Sequence, residues 1–193
     1  EHMRQVFAGD PKQFGQVFEQ CTENILRQVD ELQQISSEFS TYSRIPRIDP
    51  EAGDLAATVA GIVEDYAAAA ARGVTLTFSA EPREVGLRFD ATLLGRAVRN
   101  IIENALRVSP QGGAVRVRVV ADGASARILV ADDGPGVPSQ ELHRIFEPYF
   151  STHDSGTGLG LPIARRIAEE HGGRIAARNR SQGGLEVVIS LPV

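Results

Sequence analysis

The sequence predicts an α+β fold: a two-layer α/β sandwich, in which helices cover one face of a mixed sheet, preceded by one long helix. Three observations predict it. A single helical pattern runs over residues 11–45, helical and strand patterns alternate from residue 50 onward, and two strand patterns flank a tight Asp122–Gly123 turn. The 193 residues, of which 42% are hydrophobic, suffice for one domain with a buried core and an appendage.

The first predicted element is the long helix over residues 11–45. Asp10 is a suitable N-cap with Pro11 at the first helical position, and Pro46 ends the helix because proline disfavours helical geometry in the residue before it. A narrow apolar stripe runs along it at steps of three and four: Phe14, Phe18, Cys21, Ile25, Val29, Leu32, Ile35, Phe39 and Tyr42. This near-heptad pattern favours half of a helical hairpin that dimerises, and a helix packed on its own domain is the alternative.

The remaining elements follow in a mixed order. Further helices are predicted over residues 55–71, 90–108, 141–146 and 159–171. Strands are predicted over residues 74–80, 85–89, 114–120, 126–131, 174–179 and 185–191.

Composition and charge exclude several classes of protein. The net charge of −5 argues against a nucleic-acid partner or an anionic membrane surface. Apolar runs stay well short of the roughly 18–20 residues of a membrane span, and no signal peptide is recognisable. Cys21, the single cysteine, excludes an internal disulfide and suits a reducing compartment. Residues 1–3 look like a cloning remnant, so we expect a fragment of a longer protein.

An acidic glycine turn follows the predicted strand at 126–131. It has the sequence Asp132-Asp133-Gly134-Pro135-Gly136. The first carboxylate can accept a hydrogen bond from an exocyclic amine such as that of adenine, worth about 1.5–3 kcal/mol. The two glycines allow a sharp turn and a close approach to a flat ring. Taken alone, such a run is more often only a turn.

Two asparagines, Asn100 and Asn104, lie four residues apart and therefore share one face of the predicted helix. Amide oxygens are suitable ligands for Mg²⁺, which keeps waters and phosphates as its other ligands. Two solvated side chains are the alternative, but asparagine is a poor helix former, and its use twice in an apolar helix favours a functional role.

A second glycine turn, with Gly156, Gly158 and Gly160, opens the predicted helix at 159–171. Free backbone N–H groups at such a helix start bind phosphate. The pattern is neither a Walker loop nor the dinucleotide-binding GxGxxG. The three signals are weak singly, but in this fixed order they indicate an ATP–Mg²⁺ site.

In this order the motifs resemble the catalytic ATP-binding domain of sensor histidine kinases of two-component systems. That domain has the Bergerat (GHKL) fold shared with gyrase, MutL and the heat-shock chaperone ATPases. The short spacing between the F and G2 boxes, and residues 27–40, are most similar to the nitrogen-regulation class. The four boxes are the N box at 100–105, the G1 box at 132–136, the F box at 145–152 and the G2 box at 156–161.

The resemblance covers residues 11–193 and implies a division of the chain. Residues 1–10 would be a tag remnant and leader, residues 11–46 the second helix of the dimerisation and phosphotransfer hairpin, and residues 47–193 the catalytic ATP-binding domain. The resemblance implies that the acceptor histidine belongs to the first hairpin helix, outside this sequence. His2 lies in the apparent tag remnant, and His143, His153 and His171 fall in the ATP-binding part.

The resemblance also implies site roles. Asp132 would hold the adenine amine, Asn104 would coordinate Mg²⁺, and Asn100 would assist at the metal and the phosphates. Residues 147–158 would form a mobile lid hinged at Phe146 and Phe150. Arg107 and His153 stand where lysines are usual, and a histidine neutralises phosphate charge only when protonated. The implied nucleotide-binding set is Asn104, Asp132, Gly134, Gly136, Phe150, Thr152, His153, Thr157, Gly158, Leu159 and Gly160.

The implied activity is transfer of the γ-phosphoryl group of ATP to a histidine, mainly by positioning and charge neutralisation. The implied partners are ATP, a second copy of the parent protein through the hairpin, and the receiver domain of a response regulator. We expect a cytoplasmic domain of a parent that can be anchored in the bacterial inner membrane. Two alternatives share the fold: a serine kinase of the anti-sigma type, against which the long helix argues, and a non-catalytic nucleotide-sensing module.

Overall fold

The computed structural model describes residues 17–29, 47–67, 73–151 and 157–193. Contacts divide the chain into two compact units, Glu1–Ser43 and Arg44–Val193, and each is described by itself. Within the described residues, no helix has the length and apolar character needed to cross a membrane.

The first unit contains a helix, α1, over residues 17–29. The helical prediction is confirmed for this segment, and its continuation over 11–16 and 30–45 lies outside the described residues. Several side chains of the predicted apolar stripe are exposed, among them Phe18 at 51% and Ile25 at 54%. Cys21 is partly buried and carries a free thiol. The stripe therefore presents apolar surface along this helix.

The second unit is a sandwich of a mixed sheet and helices. Its elements are β1 Glu51–Asp54, α2 Leu55–Ala67, β2 Thr75–Glu81, β3 Gly86–Phe89, α3 Ala91–Val108, β4 Ala114–Ala121, β5 Ser125–Ala131, a 3-10 turn Arg144–Phe146, α4 Gly160–Glu170, β6 Arg174–Asn179 and β7 Leu185–Pro192. In the described residues the large sheet has five strands in the order β2-β4-β5-β7-β6, and a small sheet pairs β1 with β3. Strands β2 and β4 are parallel, and the other neighbours are antiparallel.

Alternation along the strands places the core on one face of the large sheet. Val117 of β4 lies opposite Val130 of β5, which lies opposite Val187 of β7, and all three are buried. The intervening residues, such as Arg118, face away from the helices. Full burial of an aliphatic side chain stabilises the fold by about 1.5–3 kcal/mol. The two-layer arrangement predicted from the sequence is confirmed.

Helix α3 is the central helix of the site. Asp90 caps it by accepting a hydrogen bond from the Leu93 amide at 2.9 Å. One face is buried against the sheet and α4, and the other carries Asn100 and Asn104, which are only partly buried. The amphipathic pattern of α3 thus determines which of its side chains remain available to a ligand.

Two elements differ from the sequence-based expectation. The short helix predicted over residues 141–146 is confirmed only over Arg144–Phe146, and as a 3-10 turn: the Glu141 amide donates to the Pro138 carbonyl and the Arg144 amide to the Glu141 carbonyl, so the segment forms successive three-residue turns. Strand β1 was not predicted, because Glu51–Asp54 has no apolar alternation and is mostly exposed. It forms only through pairing with β3.

Candidate nucleotide-binding site

Asp132 directly follows β5 and is 4% exposed, the one buried charged side chain among the described residues. Its Oδ1 accepts hydrogen bonds from the amides of Gly134 at 2.8 Å and Leu185 at 3.1 Å. Its Oδ2 accepts none from the described part of the chain. The carboxylate is therefore fixed in place through one oxygen, and the other oxygen remains available to an external donor.

The electrostatic surroundings of Asp132 act in both directions. Burial raises the pKa of its carboxyl above the ordinary value, while the amides of Leu185 and Gly134 and the nearby Arg180 charge oppose that rise. An ionised carboxylate with little water around it is a strong hydrogen-bond acceptor. These properties suit recognition of an amine on a flat ring.

The G1 turn packs against the C-terminal end of α3. A Cβ on Gly134 would lie 2.8 Å from Val108 Cγ2 and 2.9 Å from Asp132 Oδ1, so a side chain there would push the turn away from the helix. Gly136 has φ 72 and lies beside the Asn179 side chain. The two predicted glycines are thus placed where the backbone passes close to its neighbours.

The N-box residues lie further back along α3. Asn100 Nδ2 donates to the Gly160 carbonyl oxygen at 3.2 Å and so joins α3 to the start of α4. The Asn104 side chain makes no hydrogen bond to the described residues, and the Arg107 side chain is exposed and forms no ion pair with them. The structure therefore brings Asn100 and Gly160 together and leaves the polar groups of Asn104 and Arg107 available.

The G2 turn leads into α4 and is held against the F box. Gly158 has φ 67, and its carbonyl oxygen accepts from the Tyr149 amide at 3.1 Å. A Cβ on Gly158 would lie 2.6 Å from the Tyr149 carbonyl carbon. Leu159 is fully buried, and its amide lies 3.4 Å from Thr157 Oγ1. Because the first amides of a helix have no partner within it, this helix start can bind an anion.

Only the two ends of the predicted lid are described. Phe150 is partly buried, and the Arg144 guanidinium lies over its ring, with Arg144 Cζ 4.4 Å from the ring centroid. Thr152 and His153 fall in the segment 152–156, outside the described residues. The lid over residues 147–158 and the phosphate contact of His153 remain predictions.

Sequence reasoning missed an ion cluster directly beside Asp132. Arg116 of β4 donates to both carboxylate oxygens of Asp133, at 2.7 and 3.2 Å, and Arg180 donates to Asp133 Oδ1 at 2.8 Å. The Ala114 amide adds a bond at 3.0 Å. These partners hold the pKa of Asp133 well below its usual range. The available signal was the second carboxylate of the Asp132-Asp133 pair, since adjacent acids need compensation.

Two further polar residues fix the surroundings of the site. Asn179 accepts from the Val137 amide at 2.9 Å and donates to the Val137 carbonyl at 2.6 Å, which secures the chain after Gly136. His171 Nε2 accepts from the Asp90 amide at 3.1 Å, and its Nδ1 lies 2.7 Å from the Ile167 carbonyl. His171 therefore joins the end of α4 to the start of α3, a structural role.

Together these contacts spread the candidate site along α3. Val108 contacts the G1 turn, and Asn100 contacts Gly160 of the G2 turn. Eight residues of helix separate the two contacts, a distance of about 12 Å at 1.5 Å per residue. An extended ligand can place a flat ring near Asp132 and anionic groups near Gly158 and Gly160, with Asn104 between them.

The sequence of residues 89–193 matches the family described as histidine kinase-, DNA gyrase B-, and HSP90-like ATPase. The chain is 33% identical over 190 residues to nitrogen regulation protein NtrY of Azorhizobium caulinodans, covering 95% of this chain and 24% of NtrY. It is 34% identical over 170 residues to sensor histidine kinase ZraS of Klebsiella oxytoca, covering 86% of this chain and 37% of ZraS. The chain thus spans well under half the length of these curated relatives.

Solved structures show the same fold. Full-length ShkA in complex with AMPPNP has a TM-score of 0.78 at 25% identity, covering 90% of this chain and 38% of ShkA. The nucleotide-free catalytic domain of histidine kinase ThkA has a TM-score of 0.70 at 25% identity, covering 75% of this chain and 95% of that domain. The chain therefore belongs to the family of histidine kinase-, DNA gyrase B- and HSP90-like ATPases, and the part that matches is the catalytic domain of a sensor histidine kinase.

Proposed function

We propose that this chain binds ATP with Mg²⁺ and supplies the catalytic part of a sensor histidine kinase, which transfers the γ-phosphoryl group to a histidine of its parent protein. The observation that carries the proposal is Asp132, a buried carboxylate with one oxygen fixed by two amides and the other left for a donor. In the proposed complex the adenine amine donates a hydrogen bond to Asp132 Oδ2. The AMPPNP complex of the similar kinase ShkA supports this use of the fold.

The donor set at α3 fits Mg²⁺ held jointly with a nucleotide. The described residues contain no group of three or more His, Cys, Asp or Glu side chains that could enclose a metal ion. Asn100 Nδ2 donates a hydrogen bond to the Gly160 carbonyl oxygen, so Asn100 Oδ1 remains for a ligand, and the side-chain amide of Asn104 has no partner among the described residues. One or two amide oxygens, with phosphates and waters, form a typical Mg²⁺ shell. When bound, the metal would neutralise phosphate charge.

The chain's own residues then act by positioning. The amides at the start of α4, next to Gly158 and Gly160, bind phosphate oxygens, and the Arg107 guanidinium adds positive charge. With the nucleotide held, an imidazole nitrogen of the acceptor forms a bond to the γ-phosphorus while the bond to the leaving oxygen of ADP breaks. Most of the rate enhancement comes from alignment and charge stabilisation, because such transfers need little covalent help from protein.

We propose the partners that this chemistry requires. The phosphohistidine passes its group to a response-regulator receiver domain, and the exposed apolar side chains of α1 pack in a dimeric helical hairpin of the parent. The net charge of −5 gives no support for a nucleic-acid partner. We further propose a cytoplasmic location for the domain, with the parent anchored in the bacterial inner membrane. The anti-sigma kinase and the non-catalytic module are not favoured, since several similar proteins are named sensor histidine kinases.

A two-step experiment tests the proposal. Calorimetry should detect ATP binding that strengthens with Mg²⁺, and radiolabelled ATP should leave this chain unlabelled but label a supplied hairpin that carries the acceptor histidine. Stable acid-labile label on the chain itself would contradict the placement of the acceptor outside this sequence. Lack of any ATP binding would contradict the nucleotide site.

A further inference from the structure

The turn at residues 180–184 contacts Asp132 from two sides. It is closed by bonds from the Arg180 amide to the Gly184 carbonyl at 3.0 Å and from the Gly183 amide to the Arg180 carbonyl at 3.1 Å. The Leu185 amide, directly after the turn, donates to Asp132 Oδ1 at 3.1 Å. A Cβ on Gly184 would collide with the Asp132 carbonyl oxygen. The position of this turn and the position of the carboxylate are therefore coupled.

Arg180 provides the charged contact of that turn. Its side chain is 19% exposed, and its Nη1 donates both to the Asp132 carbonyl oxygen at 2.5 Å and to Asp133 Oδ1 at 2.8 Å. Arg116 binds the same Asp133 carboxylate but forms no bond to Asp132. Of the two arginines, Arg180 alone bridges both members of the acidic pair.

We propose that Arg180 is a positioning residue for adenine recognition, which holds the Asp132 turn in its nucleotide-accepting geometry and keeps the Asp132 carboxylate charged. The proposal rests on the proposed function, because it assumes that Asp132 accepts the adenine amine. Arg180 itself need not touch the nucleotide.

The charges around Asp132 determine in which direction the loss of Arg180 shifts the pKa of Asp132. The groups that face it are Arg180 from the turn before β7 and Asp133 from its own turn, while Arg116 of β4 acts on it through Asp133. Removing the Arg180 charge leaves the negative charge of Asp133 less compensated and withdraws a positive neighbour of Asp132. Both changes disfavour the ionised form of Asp132, so its pKa rises further. Nucleotide affinity should then begin to fall at a higher pH.

The test compares Arg180→Gln with Arg178→Gln. Arg178 carries the same charge two residues earlier in the chain. Its side chain is 73% exposed and forms an ion pair with Glu186. Titration calorimetry measures ATP and inosine triphosphate affinity from pH 8 to 5.5, since inosine carries a carbonyl where adenine carries the amine. Titration of the triphosphate itself is common to all variants.

At pH 7.5 we expect Arg180→Gln to lose about tenfold in ATP affinity, the size of one bond to a charged group. Its affinity should fall at higher pH than that of the wild type, and its preference for ATP over inosine triphosphate should shrink. Arg178→Gln should match the wild type in both respects. A folded Arg180→Gln variant with the wild-type pH profile and nucleotide preference would overturn the proposal.

Arg180→Lys covers the case in which the glutamine variant does not fold. It keeps the charge, but its ammonium group sits on a shorter chain and does not reproduce the position of the guanidinium Nη1, which donates to both acceptors. We expect the wild-type pH profile with an affinity reduced about three- to tenfold. Wild-type affinity in this variant would also overturn the proposal. Failure of the proposed function looks different: the wild type would then show no preference for ATP, and Asp132→Asn would bind ATP as well as the wild type does.

Discussion

At the scale of single residues, the two oxygens of Asp132 have separate tasks. Oδ1 accepts hydrogen bonds from the amides of Gly134 and Leu185, which lie 2 and 53 residues after Asp132 in the sequence. Oδ2 has no partner in the described residues and is the atom that we assign to the ligand. Specificity for an amine follows, because a carboxylate only accepts and an amine donates.

Replacement of Asp132 by asparagine tests that assignment. The amide oxygen can keep the two backbone bonds, but its NH₂ group then faces the adenine amine, donor against donor. We expect a loss of ATP affinity of about 10- to 100-fold, which corresponds to about 1.5–3 kcal/mol, with the fold retained. Calorimetry gives the affinity, and circular dichroism checks the fold. Unchanged ATP affinity would refute the role of Asp132.

Replacement of Asn104 by alanine tests the metal role. Because the Asn104 side chain makes no hydrogen bond to the described residues, its removal should leave the fold intact and weaken ATP binding in Mg²⁺ by about tenfold, or about 1.4 kcal/mol. Asn100→Ala is the comparison, and we expect a milder or similar loss. It also breaks the bond to Gly160, so it should lower the affinity without metal as well. An equal loss for Asn104→Ala with and without Mg²⁺ would rule out coordination.

At the scale of elements, the F box and the G2 turn form one interlocked unit. Tyr149 has φ 65, an uncommon conformation for a bulky residue, and its amide donates to the Gly158 carbonyl. Gly158 in turn has no room for a side chain beside the Tyr149 carbonyl carbon. Backbone strain of this kind persists only where surrounding contacts hold it. A change on either side of the contact should therefore alter the entrance to α4.

Gly158→Ala tests this interlock, with Gly123→Ala as a matched control. Both glycines have positive φ, so each alanine costs about 1–2 kcal/mol of stability. A Cβ at position 158 would lie 2.6 Å from Tyr149, whereas a Cβ at position 123 meets nothing within 4 Å. We expect Gly158→Ala alone to weaken ATP binding and to lose a further ~1–3 kcal/mol of stability from crowding. Equal ATP affinities in calorimetry would contradict the interlock.

At the scale of the whole molecule, the sequence predicted the main sheet and the larger helices because burial alternates along them. Val115, Val117 and Val119 read as a strand from their spacing alone. The hydrogen bonds and ion pairs around the candidate site could not be predicted in this way. Arg180 reaches Asp132 across 48 residues and Asn179 reaches Val137 across 42, and no local periodicity encodes such contacts. Strand β1 was missed for the same reason, since only its partner makes it a strand.

The carboxylates of the domain predict its response to acid. Hydrogen bonds from Val85 and Ala56 hold the pKa of Asp54 below its ordinary value of 3.8, and the arginines do the same for Asp133. A lowered folded-state pKa contributes stability that is present above the unfolded value and lost as the pH falls through the folded value. We expect the free energy of unfolding, measured in urea, to decrease as the pH drops below about 4. Asp54→Asn should have a lower free energy of unfolding at pH 7 and a smaller decrease in acid. A wild-type profile that stays flat into strong acid would contradict this.

Asp132 changes the stability with pH in the opposite direction. Its pKa is raised by burial, so the stability it contributes is present below the ordinary value and is lost as the pH rises through the folded-state value. At neutral pH the empty domain thus carries a destabilising charge at the position where it would meet adenine. A laboratory selection for heat resistance alone would favour a neutral residue at position 132, and on the proposed role of Asp132 it would produce a more stable protein that binds ATP less tightly.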